Sequence, residues 1–179
     1  MSQKRPMALT PRDIGILAAA GALILDQGSK LLMLYGFGFA QMASECHEYA
    51  DPVRILPFFN LAMVWNCGVS YGLFPASGPD GTAFLALFSI VAVAALGFWL
   101  WGATRLKLTI GLGLVIGGAL GNLIDRLIYG KVADFFDFHL NSYHWYVFNV
   151  ADAAITFGVI ALLYDALLKP EVRAGNDSA

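Results

Sequence analysis

The chain has 179 residues, of which 58% are hydrophobic and 13% are charged, and its mean hydropathy is +0.65. Because a typical soluble domain carries about 25% charged residues, this composition excludes an ordinary soluble domain. It indicates one integral membrane domain over residues 1–179. The net charge of −2 is too small to favour nucleic acid or another strongly charged partner.

Four apolar stretches are long enough to cross a bilayer, which takes about 20 residues. An even number of spans places both termini on the same side, and an excess of Lys and Arg marks the cytoplasmic side. The two loops on the other side hold only Arg54 and Lys131. The sequence therefore predicts cytoplasmic termini, with the 36–81 segment and the 130–147 loop facing outward. The predicted spans are 13–35, 82–102, 108–129 and 148–168, and the basic residues outside them on the cytoplasmic side are Lys4, Arg5, Arg12, Arg105, Lys107, Lys169 and Arg173.

The outward segments differ in their predicted structure. Residues 54–74 are rich in β-branched and aromatic side chains and are interrupted by Pro57 and Gly68, which predicts short strands with turns. The 130–147 loop is rich in aromatic residues, which favours a short helix or loop lying in the membrane interface. Cys46 and Cys67 both fall in the first outward segment, where an oxidising compartment allows a disulfide; two unpaired cysteines fit the sequence equally well.

Glycines recur every four residues in the third span, at Gly113, Gly117 and Gly121. Small residues at this spacing let a second membrane helix approach closely. The third span is therefore predicted to pack tightly against a neighbour.

The polar residues of the spans gather at one depth. With the predicted topology, the ionisable side chains gather in the outer half of the bilayer or just beyond it, and the inner half has almost none until Asp165 near its cytoplasmic end. A charge costs roughly 2.5–3.5 kcal/mol at the centre of a span, so a concentration in one leaflet predicts a shared polar cavity. The residues concerned are Asp26, Lys30, Asn122, Asp125, Arg126, Asp134, Asn149 and Asp152.

A charge count singles out two of these residues. Asp26 can balance the charge of Lys30, and Asp125 can balance that of Arg126. Asp134 and Asp152 are then left without a counterion. Two carboxylates in a low-dielectric site share one proton near neutral pH, so that one activates water while the other polarises a carbonyl group.

The spacing leaves alternatives open. Asp137 is a rival to Asp134, and Asp152 has the position of a residue that complements a helix N-terminus. The Asp26–Lys30 pair and the polar face of the third span are also compatible with packing alone. A small proton-coupled transporter or channel is the alternative function, although a proton relay needs polar residues through both leaflets.

Five short motifs resemble those of one family. They are D-Q-x-x-K at 26–30, N-x-G-V-S at 66–70, G-N-x-x-D-R at 121–126, V-x-D-F at 132–135 and F-N-x-A-D at 148–152. In this order and spacing, over about residues 13–168, the chain resembles lipoprotein signal peptidase (signal peptidase II). It departs mildly at Cys67 and Tyr71, where Thr and Phe are commoner in the family.

The resemblance implies an aspartic endopeptidase of the bacterial inner membrane. Such an enzyme cleaves prolipoproteins just before a cysteine that carries a diacylglyceryl group. The catalytic pair would be Asp134 and Asp152, which decides against Asp137. The residues that the resemblance implies as substrate-binding or supporting are Asp26, Lys30, Asn66, Gly68, Asn122, Asp125, Arg126 and Asn149.

The resemblance also implies a fold and a set of partners. The fold is an all-α membrane protein with four transmembrane helices, a small periplasmic β cradle between helices 1 and 2, and a short periplasmic interfacial helix between helices 3 and 4. The expected partners are a diacylglyceryl-modified prolipoprotein and membrane lipid, with no nucleic acid. We expect a monomer without a metal or cofactor, with its active site near the periplasmic face.

Overall fold

Four helices form the body of the molecule, and all four are long and apolar enough to cross a membrane. The computed structural model describes residues 9–43, 45–68, 79–141 and 143–167. A capping box between Thr10 and Asp13 begins the first helix, which continues beyond its α-helical part as one π-helical turn, Leu32–Gly36. The helices are α1 (Pro11–Leu31), α2 (Pro79–Gly102), α3 (Leu106–Tyr129) and α4 (Val150–Leu167).

Helix α3 lies at the centre of the helix bundle. In its most apolar window 67% of the residues are buried, against at most 22% in the other three helices. The predicted close approach through its glycines is confirmed. A Cβ atom at Gly113 would overlap the carbonyl oxygen of Gly15 on α1, and a Cβ atom at Gly117 would overlap that of Ala19.

We expect Gly117→Ala to destabilise the protein, because the new methyl group meets backbone that cannot move independently of α1. Overpacking of this kind lowers the free energy of unfolding by about 1–3 kcal/mol. Gly97→Ala on α2 is the matched control, because a Cβ atom there meets nothing within 4 Å. Thermal unfolding in detergent checks the pair, and equal transition temperatures for the two variants would contradict the packing described.

A four-stranded antiparallel sheet lies at the end of the bundle where α1 and α3 end and α4 begins. The strands follow the order β1-β2-β3-β4 across the sheet. An apolar cluster beneath the sheet joins Leu34 and Phe39 to Met63, Trp65 and Phe135. This cluster fixes the sheet on the end of α1. The strands are β1 (Val53–Leu56), β2 (Phe59–Asn66), β3 (Val132–Leu140) and β4 (Tyr143–His144).

The prediction of strands after the first span is confirmed for β1 and β2, while the 69–74 part of the predicted β segment lies outside the described residues. The prediction of a short interfacial helix between the last two spans is wrong. Residues 132–140 form β3, which pairs with β2 from Val132 to Phe138 and with β4 at its end. Alternate residues Ala133 and Phe135 are buried in the cluster below the sheet, and β3 covers an edge of β2 that would otherwise expose unpaired backbone groups.

Candidate active site

Two carboxylates meet where β3 and the start of α4 come together. Asn149, immediately before α4, contacts both of them. Its side-chain nitrogen donates to Asp134 Oδ1 at 2.6 Å, and its backbone N–H donates to Asp152 Oδ2 at 3.3 Å. The turn between the last two spans thus returns the two predicted catalytic residues to one place.

The capping alternative for Asp152 is also realised. The backbone N–H of Asp152 donates to Asn149 Oδ1 at 2.9 Å, which completes a reciprocal capping box with the bond to Asp152 Oδ2. Asn122 on α3 adds a further donor, 3.0 Å from Asp152 Oδ1. Asp152 therefore caps its own helix while one carboxylate oxygen is held by α3.

Lys30 is the centre of a buried ion cluster behind this pair. Its Nζ atom lies 2.8 Å from Asp26 Oδ2 and 2.8 Å from Asp125 Oδ2, and it donates to Asn122 Oδ1 at 3.0 Å. Lys30 is only 2% exposed. The cluster joins α1 to α3 and fixes the orientation of the Asn122 amide, because an oxygen that accepts from Lys30 leaves the nitrogen to face Asp152.

Asp26 also reaches α4. Its Oδ1 atom accepts from the backbone N–H of Ala151 at 2.9 Å. This N–H belongs to the first turn of α4, where backbone donors have no partner within the helix. The position of α4, and with it Asp152, is thus set by a side chain of α1.

The end of β2 supplies the remaining predicted residues. Asn66 donates from its side-chain nitrogen to Asp134 Oδ2 at 3.0 Å and to the hydroxyl oxygen of Tyr146. Its side-chain oxygen accepts from the backbone N–H of Gly68 at 3.0 Å. Arg126 donates to the carbonyl oxygen of Gly68 at 3.1 Å. All ten predicted site residues therefore form one connected group.

One predicted pairing is wrong. Asp125 is neutralised by Lys30 of α1 and not by Arg126. Adjacent residues of a helix do not face each other, so neighbours in sequence make poor ion pairs. The charges of Asp152 and Asp134 act on the guanidinium of Arg126 more strongly than that of Asp125 does. The two carboxylates thus have a nearby cation that the charge count assigned elsewhere.

Asp134 is well suited to hold a proton. It is 1% exposed, and its burial, followed by the neighbouring charge of Asp152, raises its pKa well above the ordinary value. Hydrogen bonds from Asn66 and Asn149 oppose this shift without cancelling it. Burial and the charge of Asp152 therefore both favour the protonated form of Asp134.

Asp137 has a different environment from Asp134. It accepts hydrogen bonds from Tyr49 at 2.6 Å and Asn60 at 3.0 Å, and lies 3.0 Å from His144 Nδ1. Burial raises the pKa of Asp137, but the hydrogen bonds from Tyr49, His144 and Asn60 outweigh it and bring the pKa below the ordinary value. Asp137 is ionised and shares no hydrogen-bond partner with Asp152 among the described residues.

A cavity of about 710 Å³ lies beside Asp152. Asp152, Asn122 and Arg126 form a polar patch on its wall, and the rest of the wall is mostly apolar. An apolar segment with a polar backbone group at one end matches such a cavity. The apolar walls come from Leu85, Phe88, Ala92 and Leu96 of α2, Val115 and Ala119 of α3, Ala153, Ile155 and Phe157 of α4, and Trp145 and Phe148 before α4.

A disulfide joins Cys46 to Cys67, with 5.7 Å between the Cα atoms. The sequence left this pairing open. Cys67 stands between Asn66, which donates to Asp134, and Gly68, which accepts from Arg126. The disulfide therefore ties the end of β2 to the preceding loop at the point where both hydrogen bonds are made.

We expect Cys46→Ser with Cys67→Ser to lower both stability and cleavage rate. Loss of a disulfide that joins residues 21 positions apart costs about 3 kcal/mol. Asn66 also loses the restraint that the disulfide places on its neighbour Cys67. Thermal unfolding and a cleavage assay with and without reductant check this. Reductant should reproduce the effect in the wild type and leave the double variant unchanged. A double variant as stable and active as the wild type would contradict it.

Sequence reasoning missed two contributors to the site. Gln27 donates to Asp125 Oδ1 at 3.0 Å and to the carbonyl oxygen of Gly121 at 3.2 Å. Tyr146 accepts from Asn66, although the aromatic loop predicted only an interfacial role for it. The position of Gln27 in the motif D-Q-x-x-K, between the site residues Asp26 and Lys30, could have indicated its role. No sequence pattern pointed to Tyr146.

Comparison with known proteins identifies the family. The family model described as Signal peptidase (SPase) II matches residues 18–168. The chain belongs to the signal peptidase II family. The match covers all five motifs and every residue of the candidate site.

Relatives and solved structures agree with this assignment. A lipoprotein signal peptidase of Rhodopseudomonas palustris (strain TIE-1) is 48% identical over 93% of this chain and 99% of its own length. One of Beijerinckia indica is 44% identical over 91% and 93%. A bacterial membrane enzyme solved by the in meso method superposes with a TM-score of 0.69 at 29% identity, covering 88% of this chain and 92% of its own. The protein is therefore a multi-pass membrane peptidase of a family that removes lipoprotein signal peptides.

Proposed function

We propose that the protein is an aspartic endopeptidase that cleaves diacylglyceryl-modified prolipoproteins just before the lipidated cysteine. The observation that carries the proposal is the arrangement of Asp134 and Asp152, two carboxylates that share Asn149 beside a largely apolar cavity. The family supplies the substrate class, and the cavity matches the apolar helix of a signal peptide.

The two carboxylates take different roles in the proposed mechanism. Asp152 lines the cavity and acts as the base that removes a proton from the attacking water. Asp134 holds the shared proton and donates it to the oxygen of the scissile carbonyl group. When the tetrahedral intermediate breaks down, Asp152 returns its proton to the leaving amine, and Asp134 recovers a proton from the intermediate's hydroxyl group.

The supporting residues hold this arrangement in place. Asn66 and Asn149 each donate to one oxygen of Asp134, so its carboxyl group cannot rotate freely. Arg126 lines the same cavity and favours negative charge that develops on the carbonyl oxygen. Donors and charges that are fixed before the reaction need no reorganisation during it.

The proposed orientation places the sheet and the two carboxylates on the periplasmic side of a bacterial inner membrane. The basic residues near the termini support it. The Cys46–Cys67 disulfide at the sheet end supports it independently, because disulfides persist in oxidising compartments. The lipid on the substrate cysteine would then lie in the outer leaflet, at the depth of the site.

A cleavage assay with two synthetic precursors tests the proposal. One carries a diacylglyceryl group on the cysteine and the other has the same sequence without lipid. We expect purified protein to release a signal peptide that ends directly before the cysteine, from the lipidated precursor only. Cleavage at another bond, or equal cleavage of both precursors, would contradict the proposed specificity. Proton flux in liposomes without proteolysis would instead support a transporter.

A further inference from the structure

We propose that Asp137, His139 and His144 form a binding site for a zinc ion on the hairpin of β3 and β4. One ligand atom from each side chain lies within 4.8 Å of the other two. The inference stands apart from the proposed function, because none of the three residues contacts Asp134 or Asp152 through a hydrogen bond described for this site.

The strand geometry brings the three side chains to one face. Asp137 and His139 are two residues apart on β3, and alternate residues of a strand point the same way. His144 is the register partner of His139 across the hairpin. The two imidazole rings are 5.1 Å apart between centroids. Asp137 and His139 on one strand and His144 directly opposite on the next therefore lie close together on one face of the hairpin.

A nitrogen without a partner indicates that the cluster is more than a hydrogen-bonded pair. His144 Nδ1 lies 3.0 Å from both oxygens of Asp137, which accounts for two of the three residues. His139 Nδ1 is buried and has no hydrogen-bond partner among the described residues. A buried polar atom left unpaired is costly. A cation that is bound through His139 Nδ1 would satisfy this nitrogen.

The carboxylate is prepared for a cation by its neighbours. Tyr49 and Asn60 both donate to Asp137 Oδ2. In the described part of the chain, Oδ1 has contact only with His144. Hydrogen bonds from surrounding residues to a ligating carboxylate are the usual support of a metal site. They fix the Asp137 side chain and leave Oδ1 facing only His144, another proposed ligand.

The ligand set selects the ion. Two imidazoles with one carboxylate suit zinc, whereas magnesium and calcium prefer oxygen ligands. Zinc lies about 2.0–2.2 Å from such ligands, so the ligand atoms of a tetrahedral site are about 3.3 Å apart. His144 is exposed and can turn to close the remaining distance. Its exposure also leaves room for a water molecule as fourth ligand.

Zinc titration of the full-length, tag-free protein in detergent tests the site. The protein is stripped with a chelator and titrated with zinc chloride, and bound metal is counted after equilibrium dialysis. We expect one zinc ion per chain and a transition temperature that rises with zinc concentration, since the ion binds the folded state. Cobalt chloride in a parallel titration gives an absorption spectrum that reports nitrogen and oxygen ligands.

Variants locate the site. We expect His139→Gln, His144→Ala and Asp137→Asn each to weaken binding by more than about 100-fold, and Tyr49→Phe by about 10–100-fold, as for a supporting residue. His47→Asn is the matched control, because His47 is the only other histidine of the chain and Asn tolerates its positive φ of 61°. It should bind zinc as the wild type does.

Unfolding transitions measured without zinc show whether a variant is still folded. They therefore distinguish a variant that lacks a zinc ligand from one that has lost its fold. His144→Ala is the informative variant in this respect, because its exposed side chain can be removed without opening the core. The proposal is overturned if the wild type retains no zinc. It is also overturned if folded His139→Gln and His144→Ala bind zinc as the wild type does, or if folded His47→Asn loses zinc binding.

Discussion

Asp134→Asn and Asp152→Asn are each expected to stop cleavage of a lipidated precursor while the protein remains folded. Each substitution removes the acid or the base of the proposed reaction, and proton transfer by a positioned side chain contributes about 10²–10⁴-fold to a rate. Because Asn keeps the shape of Asp, the hydrogen-bonding neighbours of either residue need only small adjustments. The rate is measured by separating precursor from product over time.

The matched control for these variants lies on the same helix as Asp152. Asp165 pairs with Arg105 at 2.7 Å at the opposite end of the bundle from the sheet. Arg105 is 45% exposed and remains solvated without its partner. Asp165→Asn should therefore cleave at the wild-type rate. Wild-type cleavage by folded Asp134→Asn or Asp152→Asn would remove the proposed mechanism.

Lys30→Met is expected to cause the largest loss of stability. The substitution preserves most of the side-chain volume but leaves Asp26 and Asp125 buried without their cation. Breaking a buried ion pair by removing one partner costs about 3–5 kcal/mol. We also expect cleavage to fall, because Asn122 loses the contact that orients its amide toward Asp152. Unfolding measured in mixed detergent gives the stability difference.

A second substitution tests whether charge is the cause. Adding Asp26→Asn to Lys30→Met removes one uncompensated carboxylate and should recover part of the lost stability. Lys107→Met is the matched control, because Lys107 is exposed and contacts the ring of Tyr164, a contact worth about 0.5–1 kcal/mol at an exposed site. Equal losses for Lys30→Met and Lys107→Met would contradict the role of the buried cluster.

The sequence was sufficient for the helices and for the gathering of the polar residues at one end of the bundle. Span length and hydropathy are local properties, so the four helices could be predicted within a few residues of their ends. The gathering of Asp26, Asn122 and Asp152 at one end followed from topology, because it needs only the direction of each span. The motif resemblance separated Asp134 from Asp137, which spacing alone left open.

The errors share a physical cause, since each concerns a partner distant in the chain. Lys30 of α1 contacts Asp125 of α3, and no local spacing in the sequence reveals a contact between two helices. The aromatic residues of the last loop form β3 because β2 offers an edge to pair with. That edge comes from a distant segment, since Asn60 and its partner Asp137 are 77 residues apart. Local composition could not decide between an interfacial helix and this strand.

Mass analysis of one lipidated precursor tests the central claim most directly. The precursor is incubated with purified wild type or Asp152→Asn in water enriched in heavy oxygen. The proposed mechanism predicts that the wild type releases a signal peptide with one heavy oxygen in its new terminal carboxyl group, together with a product that begins at the lipidated cysteine, and that Asp152→Asn leaves the precursor intact. The same two products from folded Asp152→Asn at the wild-type rate would contradict it.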